Sequence, residues 1–190
     1  REMDASGLLV IPGLVDIHSH GAFGHDFSDG DTEGLKTILK YERSCGITSY
    51  CPTSMTLLFE ELERIFASLK GAMDTPDGAV IRGINMEGPF LDPKKKGAHV
   101  EEYIHRPDVD FLRDLNAVSE EVCISLGHTG ADYETASEAM RRGAHHVTHL
   151  YNAMQPLGHR EPGLIGAAAD DPQCMVELIC DGFHIHPSVV

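Results

Sequence analysis

Leu14-Val15-Asp16-Ile17-His18-Ser19-His20-Gly21 is a short apolar run that ends in two histidines one residue apart. Leu, Val and Ile suit extended chain, and side chains along a strand alternate between two faces. His18 and His20 therefore share a face at the carboxyl end of the run. Two imidazole nitrogens there can reach one ion without distorting the backbone. Outward from this stretch the same kind of run recurs at Ile47–Cys51, Val80–Met86, Val122–Leu126, His146–Leu150 and Val176–Cys180. Amphipathic patterns fall between the runs, at Thr32–Cys45, Leu58–Met73, Val109–Ala117 and Tyr133–Arg142. In the second pattern Leu58, Leu62, Ile65, Phe66 and Leu69 keep helical spacing, opposite Glu60, Glu61, Glu63 and Arg64. Short buried runs alternating with helices predict βαβ units and a parallel α/β sheet. Right-handed crossovers then gather the strand carboxyl ends on one side, where such folds hold their chemistry. Periodicity does not choose between an open sheet and an incomplete (β/α)8 barrel. Gly7–Ile11 reads as an apolar hairpin remnant leading into the first strand.

The composition narrows the function. The 190 residues carry 15 Lys plus Arg against 30 Asp plus Glu, a net charge of −15. A broad basic face for nucleic acid or an anionic lipid surface is not expected on that balance. No apolar run approaches the roughly 20 residues that span a bilayer, and no signal-peptide pattern opens the sequence. Cys45, Cys51, Cys123, Cys174 and Cys180 are odd in number and form no CxxC pair, which reads as reduced thiols in a cytoplasmic protein. GxSxG, Walker and GxGxxG motifs are missing from the sequence. Its unusual content is 12 histidines.

Those histidines collect at the ends of the apolar runs. His18 and His20 end the first, Glu87 the third, His128 the fourth and His149 the fifth, with His184 just past the sixth. Residues scattered for solubility would have no reason to gather there. A carboxylate at a strand end needs a cation, because burying it alone is costly. For Glu87 that cation is a metal or, more plainly, a lysine of Lys94–Lys96, a run that otherwise reads as a solvated loop face. A lone strand-end histidine is more often a hydrogen-bonded structural residue than a ligand. Together, Glu87, His128 and His149 make a set of two imidazoles and one carboxylate, which leaves a coordination position open for water. Asp16 suits a backbone contact better than a metal. Arg160 lies in a loop after a ligand-bearing run and suits an anionic substrate group. His25, His105, His145, His146 and His186 are read as structural or exposed.

The strings that carry these residues resemble one family, the N-acetylglucosamine-6-phosphate deacetylases of the amidohydrolase superfamily. They are Pro12-Gly13-Leu14-Val15-Asp16-Ile17-His18-Ser19-His20-Gly21, Glu87-Gly88-Pro89-Phe90 through Lys96-Gly97-Ala98-His99, and Gly127-His128-Thr129. The most specific is Thr148-His149-Leu150-Tyr151-Asn152-Ala153-Met154 followed by His159-Arg160-Glu161-Pro162-Gly163; Asp181-Gly182-Phe183-His184 closes the series. The resemblance implies a metal-dependent TIM-type (β/α)8 barrel over 12–190, incomplete in this chain, with 1–11 the end of a flanking N-terminal β-sandwich segment. It implies hydrolysis of N-acetyl-D-glucosamine 6-phosphate to glucosamine 6-phosphate and acetate. Glu87, His128 and His149 are then ligands of the main divalent metal, zinc or ferrous iron, and His18 and His20 ligands of a second ion. His184 is implied at the substrate carbonyl, with His99, Arg160 and the Asn152-Ala153 backbone on the sugar phosphate. The arginine reaches a neighbouring subunit in the family, so a homodimer is implied.

Two departures accompany the resemblance. The family's general base is an aspartate at the end of the last barrel strand, expected outside this sequence, and Asp181 does not fill that role. A further strand-helix unit expected between Asp108 and Val122 is not found in the residues. Two other readings share the metal residues: another amidohydrolase, such as an N-acyl-amino-acid deacylase or a cyclic-amide hydrolase, and a non-catalytic fragment that binds metal or sugar phosphate.

Overall fold

The computed structural model describes residues 4–106 and 123–190. The helix expected at Val109–Ala117 and the interval between Asp108 and Val122 lie outside those residues. The chain divides into two compact units, Arg1–Gly88 and Pro89–Val190.

In the first unit β1 (Leu14–Ser19) leads through a hairpin of β2 (Gly21–Ala22) and β3 (His25–Asp26) into α1 (Thr32–Ser44). Asp31 caps α1, its carboxylate accepting the N–H groups of Glu33 and Gly34 at 3.0 and 3.1 Å. Leu35, Ile38 and Leu39 form the buried stripe of this helix. Gly46, at φ +89°, then turns the chain into β4 (Ile47–Ser54). α2 (Phe59–Ser68) buries Leu62 and Ile65 and tightens into a 3₁₀ turn at Leu69–Gly71, so the helix stops short of the expected Met73. The core joins Phe27, Leu35, Ile38, Leu39, Tyr50, Ile65, Leu69, Ala72 and Ala79.

β4 pairs in parallel with β1 on one side and with β5 (Val80–Ile81) and β6 (Asn85–Met86) on the other. The expected continuous run Val80–Met86 is thus two short strands. The register explains the break: Tyr50 faces Ile81 and Thr53 faces Asn85, so three steps on β4 match four on its partner. One extra residue must bulge out between them. β1 carries a similar irregularity, with Asp16 opposite Tyr50 and Ser19 opposite Pro52. Gly7–Ile11 forms no strand, and Leu8, Leu9, Val10 and Ile11 are 58–87% exposed. An extended segment is held as a strand only by a ladder partner, and the described residues supply none.

The second unit repeats the alternation. β7 (Ser125–Leu126), α3 (Tyr133–Arg141), β8 (His146–Val147), α4 (Gly163–Asp170) and β9 (Met175–Val176) follow in order, with β7-β8-β9 all parallel. Its core is Ala136, Met140, Val147, Leu150, Met154, Leu164, Ile165, Ala167 and Ala168. The strands are shorter than expected. β8 ends at Val147 because the chain turns over Thr148–Ala153, and His149 adopts φ +32°. β9 ends at Val176, after which the Glu177 N–H donates to the Val147 carbonyl and its carbonyl accepts the Leu150 N–H. α4 had no counterpart in the sequence patterns. Gly163-Leu164-Ile165-Gly166-Ala167-Ala168-Ala169-Asp170 carries neither a polar stripe nor good helix formers at its glycines, yet its apolar face is covered.

Candidate metal centre

In the first unit the carboxyl ends of β1, β4 and β6 lie side by side, and three donors meet there. Glu87 follows β6 directly, and its Oε2 lies 3.2 Å from Nε2 of His20 and 3.6 Å from Nε2 of His18. The two rings stand edge to face, 5.6 Å apart. The expected sharing of one face by His18 and His20 holds despite the β1 irregularity, because Asp16 Oδ1 accepts the His18 N–H at 2.8 Å. Thr53 supplies the next support, its Oγ1 accepting the Ser19 N–H at 3.0 Å. The Tyr50 hydroxyl, fully buried, donates to the Ser19 carbonyl at 2.9 Å. Burial pushes the Tyr50 phenol far above its ordinary range, so it stays a donor at all working pH values.

His20 Nδ1 lies 3.2 Å from the Thr53 carbonyl. A carbonyl only accepts, so Nδ1 carries the proton and the Nε2 of a neutral ring presents a lone pair toward Glu87. Gly88 then turns the chain at φ +94°, and a Cβ there would collide with the Thr56 hydroxyl, which donates to the Glu87 carbonyl at 3.0 Å.

In the second unit His128 and His149 are buried and their Nε2 atoms approach to 2.9 Å. His128 Nδ1 lies 2.7 Å from the Lys95 carbonyl, which fixes its proton there and turns its Nε2 lone pair toward His149. Both residues hold positive φ, +44° and +32°, without being glycine. Such backbone costs on the order of 1–3 kcal/mol per residue and persists where surrounding contacts over-determine it. Gly127 is needed beside them, since a Cβ would meet Thr148 Cβ at 2.9 Å. His99, expected at the sugar phosphate, is buried with its ring edge-to-face on His128 at 5.0 Å.

Both clusters fit a divalent ion. Metal–ligand bonds of about 2.0–2.1 Å place neighbouring donors roughly 3.0–3.4 Å apart. The 3.2 Å separation falls within that spacing, 2.9 Å lies just below it and 3.6 Å just beyond it. Imidazole with carboxylate accepts zinc and ferrous iron alike.

Comparison with known proteins gives one consistent result. The chain is 32% identical to N-acetylglucosamine-6-phosphate deacetylase of Bos taurus, an alignment covering 100% of this chain and 55% of the relative. It is 33% identical to the enzyme of that name from Vibrio furnissii, over 95% of this chain and 52% of the relative. The crystal structure of N-acetyl-D-glucosamine-6-phosphate deacetylase from Mycobacterium smegmatis superposes with a TM-score of 0.87 at 29% identity, covering 94% of this chain and 53% of that one. This chain is homologous to the N-acetylglucosamine-6-phosphate deacetylases. It spans about half the length of the curated relatives it matches, and no protein-family model matches it.

The remaining strings on which the resemblance was drawn lie in loops of the second unit. Leu150 and Met154 are buried anchors of the Thr148–Met154 turn, while Tyr151 and Ala153 take φ +79° and +52° between them. Asn152 closes the turn through its N–H to the His149 carbonyl at 2.9 Å. Arg160 is exposed at the tip of a turn closed by Gly158 N–H to the Glu161 carbonyl. Glu161 anchors that turn, its Oε1 accepting the N–H groups of Tyr133 and Gly163 at 3.0 and 3.1 Å. His184 is exposed, with Nδ1 2.7 Å from Asp181 Oδ2. The lysine run differs from the solvated face expected of it, since Lys95 and Lys96 donate their ammonium groups to the carbonyls of Met154 and His99.

Sequence reasoning did not find Thr53, Tyr50, the Lys95 carbonyl or Glu161. Their roles depend on partners distant in sequence, and no spacing rule reaches them. Among the described residues no helix is long and apolar enough to cross a membrane.

Proposed function

We propose that this chain carries the metal-binding part of a hydrolase that removes the acetyl group from N-acetyl-D-glucosamine 6-phosphate, giving glucosamine 6-phosphate and acetate in amino-sugar breakdown. The observation that carries it is the convergence of His128 and His149 Nε2 atoms within a chain homologous throughout to deacetylases. In this reading the chain forms part of a (β/α)8 barrel preceded by the end of a β-sandwich, and works in the cytoplasm as a homodimer. Glu87, His128 and His149 hold one divalent ion, zinc or ferrous iron, and His18 and His20 hold a second. When bound, such an ion supplies Lewis acidity to an amide carbonyl and lowers the pKa of water.

The protein's own residues do the rest. Carbonyls of Thr53 and Lys95 keep the imidazole protons of His20 and His128 on Nδ1, so Nε2 stays a ligand. His184 meets the acetamide oxygen as negative charge develops there. Arg160, His99 and the Asn152-Ala153 backbone take the phosphate, so binding energy remote from the amide serves to position it. A related deacetylase from Mycobacterium smegmatis has been crystallised as a mutant in complex with N-acetyl-D-glucosamine-6-phosphate, which supports that choice of substrate.

The test measures acetate release from N-acetylglucosamine with and without the 6-phosphate. Release from the phosphorylated sugar alone, abolished by Glu87→Gln and by His149→Ala together with loss of bound metal, is the expected result. Equal rates on both sugars favour a different amidohydrolase. Metal binding without any acetate favours a non-catalytic binding fragment.

A further inference from the structure

The Asp181-Gly182-Phe183-His184 string contains a contact that the proposed reaction has not yet used. Asp181 Oδ1 accepts the backbone N–H groups of Phe183 and His184 at 2.8 and 2.9 Å, and Oδ2 lies 2.7 Å from His184 Nδ1. Gly182 takes φ +78°, which swings both amides back toward the carboxylate. Ile185 is buried and pins the backbone after the turn, while Phe183 stands 94% exposed beside it.

We propose that Asp181 is a positioning residue for His184: its carboxylate accepts the Nδ1 proton, turns Nε2 outward as the atom that meets substrate, and is the counter-charge for the imidazolium that donates there. The inference rests on the reading of His184 given above. The backbone amides and the imidazole hold the Asp181 carboxyl down to about 2, so it is ionised throughout the neutral range. An ionised carboxylate only accepts, and Nδ1 must therefore donate. Nε2 is then a lone pair in the neutral ring and an N–H donor only in the imidazolium. A donor to a developing oxyanion at this position thus requires the doubly protonated ring, and Asp181 is the counter-charge that faces it.

Asp181→Asn separates the two functions of the carboxylate. The amide oxygen still accepts the two backbone N–H groups, whereas the amide NH₂ donates to Nδ1 and moves the ring proton to Nε2. The experiment records long-range ¹H–¹⁵N spectra of histidine-labelled protein near pH 8.5, where imidazoles are neutral, with His184 assigned by its loss in His184→Gln. The expected result is an Nδ1–H tautomer in the unmodified protein and an Nε2–H tautomer in Asp181→Asn. It is accompanied by a fall in kcat on the order of 10- to 100-fold, the size found for carboxylates that orient metal-bound imidazoles, at little change in KM, because the amide supplies no counter-charge to the imidazolium donor. An Nε2–H ring in the unmodified protein, or the same tautomer in both, overturns the inference. So does a tautomer switch that leaves kcat untouched. If the unmodified protein releases no acetate, the deacetylase reading fails separately, and the spectra alone decide the contact.

Discussion

Replacing Thr53 by Val tests whether the first metal cluster depends on a residue that touches no metal. The two side chains have nearly the same shape, so packing around this fully buried position is preserved. What disappears is the Oγ1 that accepts the Ser19 N–H at 3.0 Å, at the link between His18 and His20. An amide left without its acceptor in a partly buried setting costs about 1–2 kcal/mol. For a domain of this size that corresponds to a fall in Tm of about 2–8 °C. The same loss frees the strand end that aims two imidazoles at Glu87, so affinity for an ion held there should weaken on the order of 10-fold. Thr53→Ser keeps the hydroxyl and serves as the control. Differential scanning calorimetry of apo protein reads the first effect, and competition with a zinc-sensitive chelator dye reads the second. Matching Tm and matching zinc competition in Thr53→Val and Thr53→Ser would refute the reasoning, since the hydroxyl would then hold nothing that matters.

Two further outcomes are expected. Ile38 is fully buried in the core of the first unit, and Ile38→Ala should lower stability by about 2–5 kcal/mol in urea denaturation, with Ile38→Val costing much less. Glu42 continues the buried stripe of α1, where burial chiefly, and the negative charge of Asp16 secondarily, raise its carboxyl above the usual 4.5. A folded-state pKa above the unfolded one means that this group's contribution to stability is fully present below the unfolded value and is lost as pH rises through the folded value. Glu42→Gln should therefore raise Tm relative to the unmodified protein at pH 7, with the gap closing as pH falls below the ordinary carboxylate range; a gap that is constant with pH would remove the assignment.

Much of the fold was legible because local pattern and local structure coincide in the helices. The expected Thr32–Cys45 and Tyr133–Arg142 became Thr32–Ser44 and Tyr133–Arg141, with Asp31 and Asp132 as N-caps. The strand runs were less exact. Their ends are decided by register against a neighbour, as the extra residue between Ile81 and Asn85 and the early end of β8 both demonstrate. α4 escaped notice because an alanine-rich helix covered on its apolar face carries no polar stripe to mark it.

In the metal cluster, the identity of the donors and their place at strand ends are legible from residue order alone. His18 and His20 are two residues apart, and strand alternation suffices to bring them to one face. Which nitrogen of the His20 and His128 rings is available follows instead from contacts distant in sequence. The Thr53 carbonyl that sets His20 is 33 residues away, and so is the Lys95 carbonyl that sets His128. Those contacts are made by parallel strands and returning loops, whose pairing depends on the packing of whole units, and no local periodicity encodes it.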